Sequence, residues 1–140
     1  KGIVLDDKLI IESDDYDHES GSLAVERLLK LTDFSAVFAS NDLLAGGALK
    51  ALQKEGLSVP EDVSVIGFDD LSVSRLTTPS LSTMHYPAKE MGRRAAQHLI
   101  QLIGGGDPEQ VPVFESYLIK RESTALASSS SRTALVKSAA

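Results

Sequence analysis

Cysteine is absent from the 140 residues. No disulfide framework and no thiolate metal site is possible, and a reducing compartment is permitted. Positive charge is scarce: 14 Lys and Arg stand against 20 Asp and Glu, a net charge of -6. That balance argues against this segment being the DNA-binding part of anything. No apolar stretch approaches the roughly 18 residues that a membrane span needs. The chain opens at Lys1 with GIVLDDKLI, without a methionine or the charged and apolar regions of a signal peptide. It reads as a fragment or trimmed product with something N-terminal missing.

Catalytic signatures are lacking too. His18 and His98 have no partners at metal-ligand spacing, and no serine lies in a nucleophile-elbow motif. The glycines at 104–106 precede no helix and lack the lysine of a phosphate loop. The expectation is no enzyme, no cofactor and no metal.

What is present suffices for one domain with a real core, since 42% of residues are hydrophobic. Leu9 to Glu12 is a short strand candidate, followed by the acidic stretch SDDYDHESG. Residues 20–31 carry apolar positions at helical spacing, with Ser20 or Ser22 as caps. Ser35 to Ala39 reads as a strand buried on both faces. A helix follows, capped by Ser40 or Asn41, with Leu44, Ala48, Ala51 and Leu52 as its apolar stripe and Gly56 at its C′ position. Gly46 and Gly47 inside it cost roughly 1 kcal/mol each relative to alanine, which close packing against another backbone explains.

Val63 to Phe68 is a second buried strand and Leu81 to His85 a lesser one. Pro87 suits the N1 position of a helix running to about Ile103, with Met91, Ala95, Leu99 and Leu102 on one face. Val111 to Lys120 has strand-like alternation, and Pro112 marks an edge or a strand start. The stretch 127–140 reads as a flexible tail. The order of elements predicts an α/β fold: a three-layer, open, mostly parallel sheet flanked by helices.

In such sheets ligands gather beyond the carboxyl ends of the strands. Three polar clusters fall there: Asp14-Asp15-Tyr16, Asn41-Asp42 and Asp69-Asp70. Asp69 suits acceptance of hydrogen bonds from sugar hydroxyls or a base N–H; as an alternative it caps a short turn. Asn41 offers both a donor and an acceptor to vicinal hydroxyls, compatibly with capping its helix. Tyr16 either stacks on a sugar or base face or is an ordinary half-buried tyrosine. Asp70 reads as a cap or surface group, Asp42 as structural. The acidic run Glu12 to Glu19 does not fit the calcium-loop spacing and reads as a solvated face.

The stretches AVFASNDLLAGGALKALQKEGLSVPEDVSVIGFDD and TPSLSTMHYPAKEMGRRAAQHLIQLI, with a late strand ending in REST, resemble the LacI/GalR family of bacterial transcription repressors over residues 1–124. The resemblance implies a partial periplasmic-binding-protein-like effector domain. Residues 1–126 would be most of its C-terminal lobe, with the interlobe crossover and a helix of the other lobe at about 78–104. It implies that Asp69 grips the effector, that Asn41 is the amide after the preceding strand, and that Tyr16 stacks on the effector. Many relatives have Gln where this chain has Tyr86, and the aromatic ring favours stacking. The partners implied are a small-molecule effector, a sugar by preference, and a homodimer mate met through the helix Leu43 to Leu49. Operator DNA would be reached only through an N-terminal headpiece absent from this chain. No membrane is involved, and the protein would be cytoplasmic.

Two other functions fit fewer residues. A transport or chemotaxis sugar-binding protein has the same fold but works as a monomer. A magnesium-dependent enzyme built on Asp42, Asp69 and Asp70 lacks a nucleophile, a base and a phosphate loop.

Overall fold

The computed structural model describes residues 6–107, 110 and 112–126. Strand β1 (Ala36–Phe38) lies beside β2 (Ser64–Phe68), then β3 (Ser82–His85), then β4 (Tyr117–Ile119). The first three are parallel and β4 is antiparallel to β3. This is the expected open, mostly parallel α/β sheet flanked by helices. The tail at 127–140 lies outside the described residues.

Helices α1 (His18–Leu31) and α2 (Asp42–Lys54) pack on each other and supply the layer over one sheet face. The core between them holds Val25, Leu44, Ala48, Ala51 and Leu52, closed by Val63, Val65 and Leu81 of the sheet side. Leu52 is fully buried; that burial stabilises by about 1.5–3 kcal/mol. The expected stripe of α2 is therefore the one that faces the core. Its C-terminus closes at Gly56, φ 74°, in a Schellman arrangement: Leu57 N–H donates to the Leu52 carbonyl and Gly56 N–H to that of Gln53.

Of the two glycines in α2, Gly47 meets the expected neighbouring backbone, whereas a Cβ at Gly46 would meet only the His18 ring at 3.1 Å. A Cβ at Gly47 would lie 2.0 Å from the His18 carbonyl oxygen, so α1 and α2 touch backbone to backbone. This close approach is within the chain. Residues 44–49 are buried, and Leu43 is the outward residue of the stretch.

Several expectations needed correction. Leu9 to Glu12 is no strand: Asp7–Leu9 forms a 3-10 turn, and residues 10–13 have no regular structure. A lone extended segment has no ladder to join. Leu9 to Ile11 and Val37 to Ala39 of the β1 region instead line a common, mostly apolar cleft of about 440 Å³. β1 is not buried on both faces, because it is the sheet edge and α1 and α2 cover only one side. Phe38, pointing the other way, is 65% exposed. Helix α1 begins earlier than expected, since Asp17 rather than a serine is its cap and accepts the Ser20 N–H at 2.8 Å.

Helix α3 (Ala88–Ile103) has Pro87 at its cap, one position before the expected N1. None of its residues is buried; Leu99 and Leu102 of its apolar face stay exposed. β4 covers only three residues of the stretch expected to be a strand. Four-residue β3 pairs only Thr83 to His85 with it, and Val113 is solvent-exposed.

Candidate functional site

Each strand end delivers its polar pair where the parallel pattern requires. β1 runs into Ser40-Asn41, and Asn41 caps α2 by accepting the Leu44 N–H at 2.7 Å. Its amide nitrogen donates to the Tyr16 carbonyl at 3.0 Å. One side chain thus caps a helix and anchors the loop before α1. Asn41 still has a second N–H and a second lone pair. Tyr16 is brought to this rim by its backbone, and the residue is 71% exposed.

β2 ends at Phe68, and the next two residues have left-handed backbone: Asp69 at φ 103° and Asp70 at φ 52°. Such conformations cost about 1–3 kcal/mol each outside glycine and persist only when neighbours enforce them. Here three successive amides are claimed. Asp69 N–H donates to the Met84 carbonyl at 2.9 Å, Asp70 N–H to Thr83 Oγ1 at 3.4 Å, and Leu71 N–H to Asp42 Oδ2 at 2.7 Å. Asp69 is not a helix cap; the short helix that follows, Ser72–Arg75, has Leu71 at its cap without a side-chain bond.

Asp42 is fully buried, and its Oδ1 also accepts from Thr83 Oγ1 at 2.6 Å. Gly67 makes room for it: a Cβ there would sit 2.3 Å from that oxygen. Burial pushes the Asp42 carboxyl above its usual range, against the two hydrogen bonds; the charges of Asp69 and Asp70 add to the rise. The expected structural role of Asp42 is what its contacts describe.

Tyr86 follows β3 and tilts against Phe68, ring centroids 5.5 Å apart. The Asp69 charge beside its phenol, then the hydrogen bonding of that carboxylate, raises the Tyr86 pKa above the usual value. Two pairs therefore form from the four expected site residues: Asn41 with Tyr16, and Asp69 with Tyr86.

Asp70 overturns the expectation of a cap or surface group. Its side chain is 5% exposed, and the carboxylate is bound by Arg121 Nη2 at 2.6 Å, His85 Nδ1 at 3.1 Å and Arg75 Nη2 at 3.5 Å. Burial works to raise its carboxyl, and the Arg121 hydrogen bond and charge outweigh this, holding it below the usual range. Sequence reasoning missed this node. The available signal was the second aspartate of a pair at a strand end, with an arginine in the REST motif at 121–124. Among the described residues no group of three or more His, Cys, Asp or Glu side chains is arranged to hold a metal ion.

Comparison with known proteins places these features in context. Residues 5–124 match the periplasmic binding protein-like domain family. The transcriptional regulator AscG of Escherichia coli is 44% identical over 123 residues, which are 87% of this chain and 36% of AscG. The regulator CelR of Thermobifida fusca is 38% identical over 119 residues. Among solved structures, the E. coli repressor AscG superposes with a TM-score of 0.78 at 44% identity, covering 89% of this chain and 45% of that one. A CelR–cellobiose complex gives 0.79 at 35% identity, covering 87% and 38%. The chain spans about a third of the length of the curated relatives it matches.

Proposed function

Because the chain belongs to the LacI/GalR family of transcription regulators, through its periplasmic binding protein-like domain, we propose that it is the C-terminal lobe of an effector-sensing core. It is part of a regulator and not an enzyme, as its relatives are. Residues 1–126 form the lobe, and about 78–104 carry the crossover and a helix that serves the other lobe. In support, α3 is amphipathic yet buries no residue in this chain.

The effector sits against the rim formed by Asp69, Asn41, Tyr16 and Tyr86. The observation that carries this reading is the left-handed, over-determined turn at Asp69, a strained backbone at the carboxyl end of the central strand. The carboxylate accepts hydroxyl hydrogens, and the exposed ring of Tyr16 with that of Tyr86 offers flat faces to a pyranose. A sugar has both features, and the CelR relative was solved with cellobiose. Binding shifts the two lobes relative to each other and changes the operator affinity of headpieces upstream, in a cytoplasmic homodimer.

The test uses the full-length regulator that carries this segment. Its operator fragment is titrated by fluorescence anisotropy, with and without neutral mono- and disaccharides. A sugar that changes operator affinity supports the reading. Sugar binding without any operator binding would instead support a transport protein of the same fold.

A further inference from the structure

The motif Arg121-Glu122-Ser123-Thr124 is densely hydrogen-bonded, although it stands outside the effector rim. Ser123 Oγ donates to the Val65 carbonyl at 2.6 Å and accepts the Ser82 N–H at 2.8 Å. Glu122 accepts both the N–H and the hydroxyl of Ser80, at 2.9 and 2.8 Å. Arg121 donates its backbone N–H to Ser82 Oγ at 2.9 Å. The motif therefore stitches the starts of β2 and β3 together.

The Arg121 side chain goes further. Nη1 donates to Ser74 Oγ at 2.8 Å and to the Leu81 carbonyl at 2.7 Å, while Nη2 reaches the Asp70 carboxylate. The Arg121 side chain is only 14% exposed. One planar group thus binds the short helix after the turn, the entry to β3, and the residue next to Asp69. Of the two other cations on Asp70, Arg75 is 67% exposed at 3.5 Å and His85 is charged only when protonated. Arg121 is therefore the permanent, desolvated partner that keeps this buried carboxylate in place.

We infer that Arg121 is a positioning residue for the Asp69 carboxylate, acting through Asp70. This rests on the effector reading of Asp69 for its purpose but not for its geometry. Asp69 and Asp70 share the left-handed turn, and their amides are held by Met84 and Thr83 of β3. Thr83 and Asp42 hold the amides of Asp70 and Leu71, while the turn's own side-chain tether is Asp70, whose shortest ion pair is with Arg121. With the anchor gone, Asp70 seeks solvent, the turn relaxes toward ordinary backbone, and the Asp69 carboxylate swings off the rim.

The test has two arms. In the first, the 140-residue chain is labelled with nitrogen-15, and the amide–Hα coupling at Asp69 is compared between wild type and Arg121→Gln. The coupling is expected to rise from the small value of a left-handed residue toward that of extended backbone, with α2 amides unmoved. An unchanged coupling in a folded variant overturns the inference. If Arg121→Gln does not fold, Asp70→Asn removes the same ion pair with its shape kept, and the same readout decides.

The second arm is a double-mutant cycle in the full-length regulator, with cellobiose and other neutral sugars as probes. Arg121→Gln should weaken the binding sugar roughly tenfold, about the worth of one charged hydrogen bond. It should weaken it no further in an Asp69→Asn background. Equal loss in both backgrounds means a purely structural role and overturns the inference. No sugar binding to wild type overturns the effector reading instead, and the coupling arm then decides the positioning role alone.

Discussion

Gly47→Ala tests the α1–α2 packing on which the whole lobe is built. The new Cβ would lie 2.0 Å from the His18 carbonyl oxygen and 2.7 Å from the Ser22 nitrogen. Ordinary contact needs about 3.5 Å, so α1 has to retreat by about 1.5 Å. Backbone cannot rotate away as a side chain can. Overpacking of this kind costs about 3 kcal/mol, the upper end of its usual range, because the neighbour is rigid. Alanine returns about 1 kcal/mol of helix propensity, leaving a net loss of about 2 kcal/mol. For a domain of this size that lowers the melting temperature by roughly 8 °C, at about 4 °C per kcal/mol. Gly46→Ala is the internal control. Its Cβ meets only the His18 ring, at 3.1 Å, and the ring can turn aside. That variant should be neutral or more stable by up to about 1 kcal/mol. The assay is urea and thermal unfolding of both variants beside wild type, followed by circular dichroism. Equal stability of the two alanine variants would refute the backbone contact and the packing derived from it.

Other predictions follow from single residues. Leu52→Ala empties a fully buried site and should cost about 2–5 kcal/mol in urea unfolding; a loss below about 1 kcal/mol would place Leu52 outside the core. Asp70 has a depressed carboxyl pKa, so the stability it contributes is complete above the unfolded value of about 3.9. It is lost as pH falls through the lower folded value. The gap between wild type and Asp70→Asn should therefore persist at neutral pH and close only in acid; a gap that widens in acid contradicts the ion pair. The exposed edge at β1 and the uncovered apolar residues of α3, Leu99, Ile100 and Ile103 among them, should make the isolated chain self-associate with concentration. A single monomeric species in sedimentation at all concentrations counts against that.

Much of the fold was legible because periodicity and punctuation agree. The stripe Leu44, Ala48, Ala51, Leu52 with Asn41 before it and Gly56 after it fixes α2 at both ends. Val63 to Phe68 declares a central strand, and its Gly67 is where the Asp42 carboxylate passes. Local reasoning failed where the outcome depends on what lies beside a segment. Leu9 to Glu12 has strand composition, yet no strand among the described residues pairs with it, and Phe38 is exposed because α1 and α2 cover only the other face of β1. The site divides the same way. Asn41 and Asp69 were visible as polar residues at strand ends, and Tyr86 as an aromatic at the crossover. The Asp70 node was hidden because Arg121 lies 51 residues further along the chain, and no local pattern joins them.

The central claim is that the effector meets this lobe at Asp69. The direct measurement is isothermal titration of neutral sugars into the full-length regulator, wild type beside Asp69→Ala, with unfolding curves recorded for both. The account predicts saturable binding in wild type and its loss in a variant that still unfolds cooperatively near the wild-type temperature. Binding of the same sugar with unchanged affinity to Asp69→Ala would contradict it and move the site off the β2 strand end.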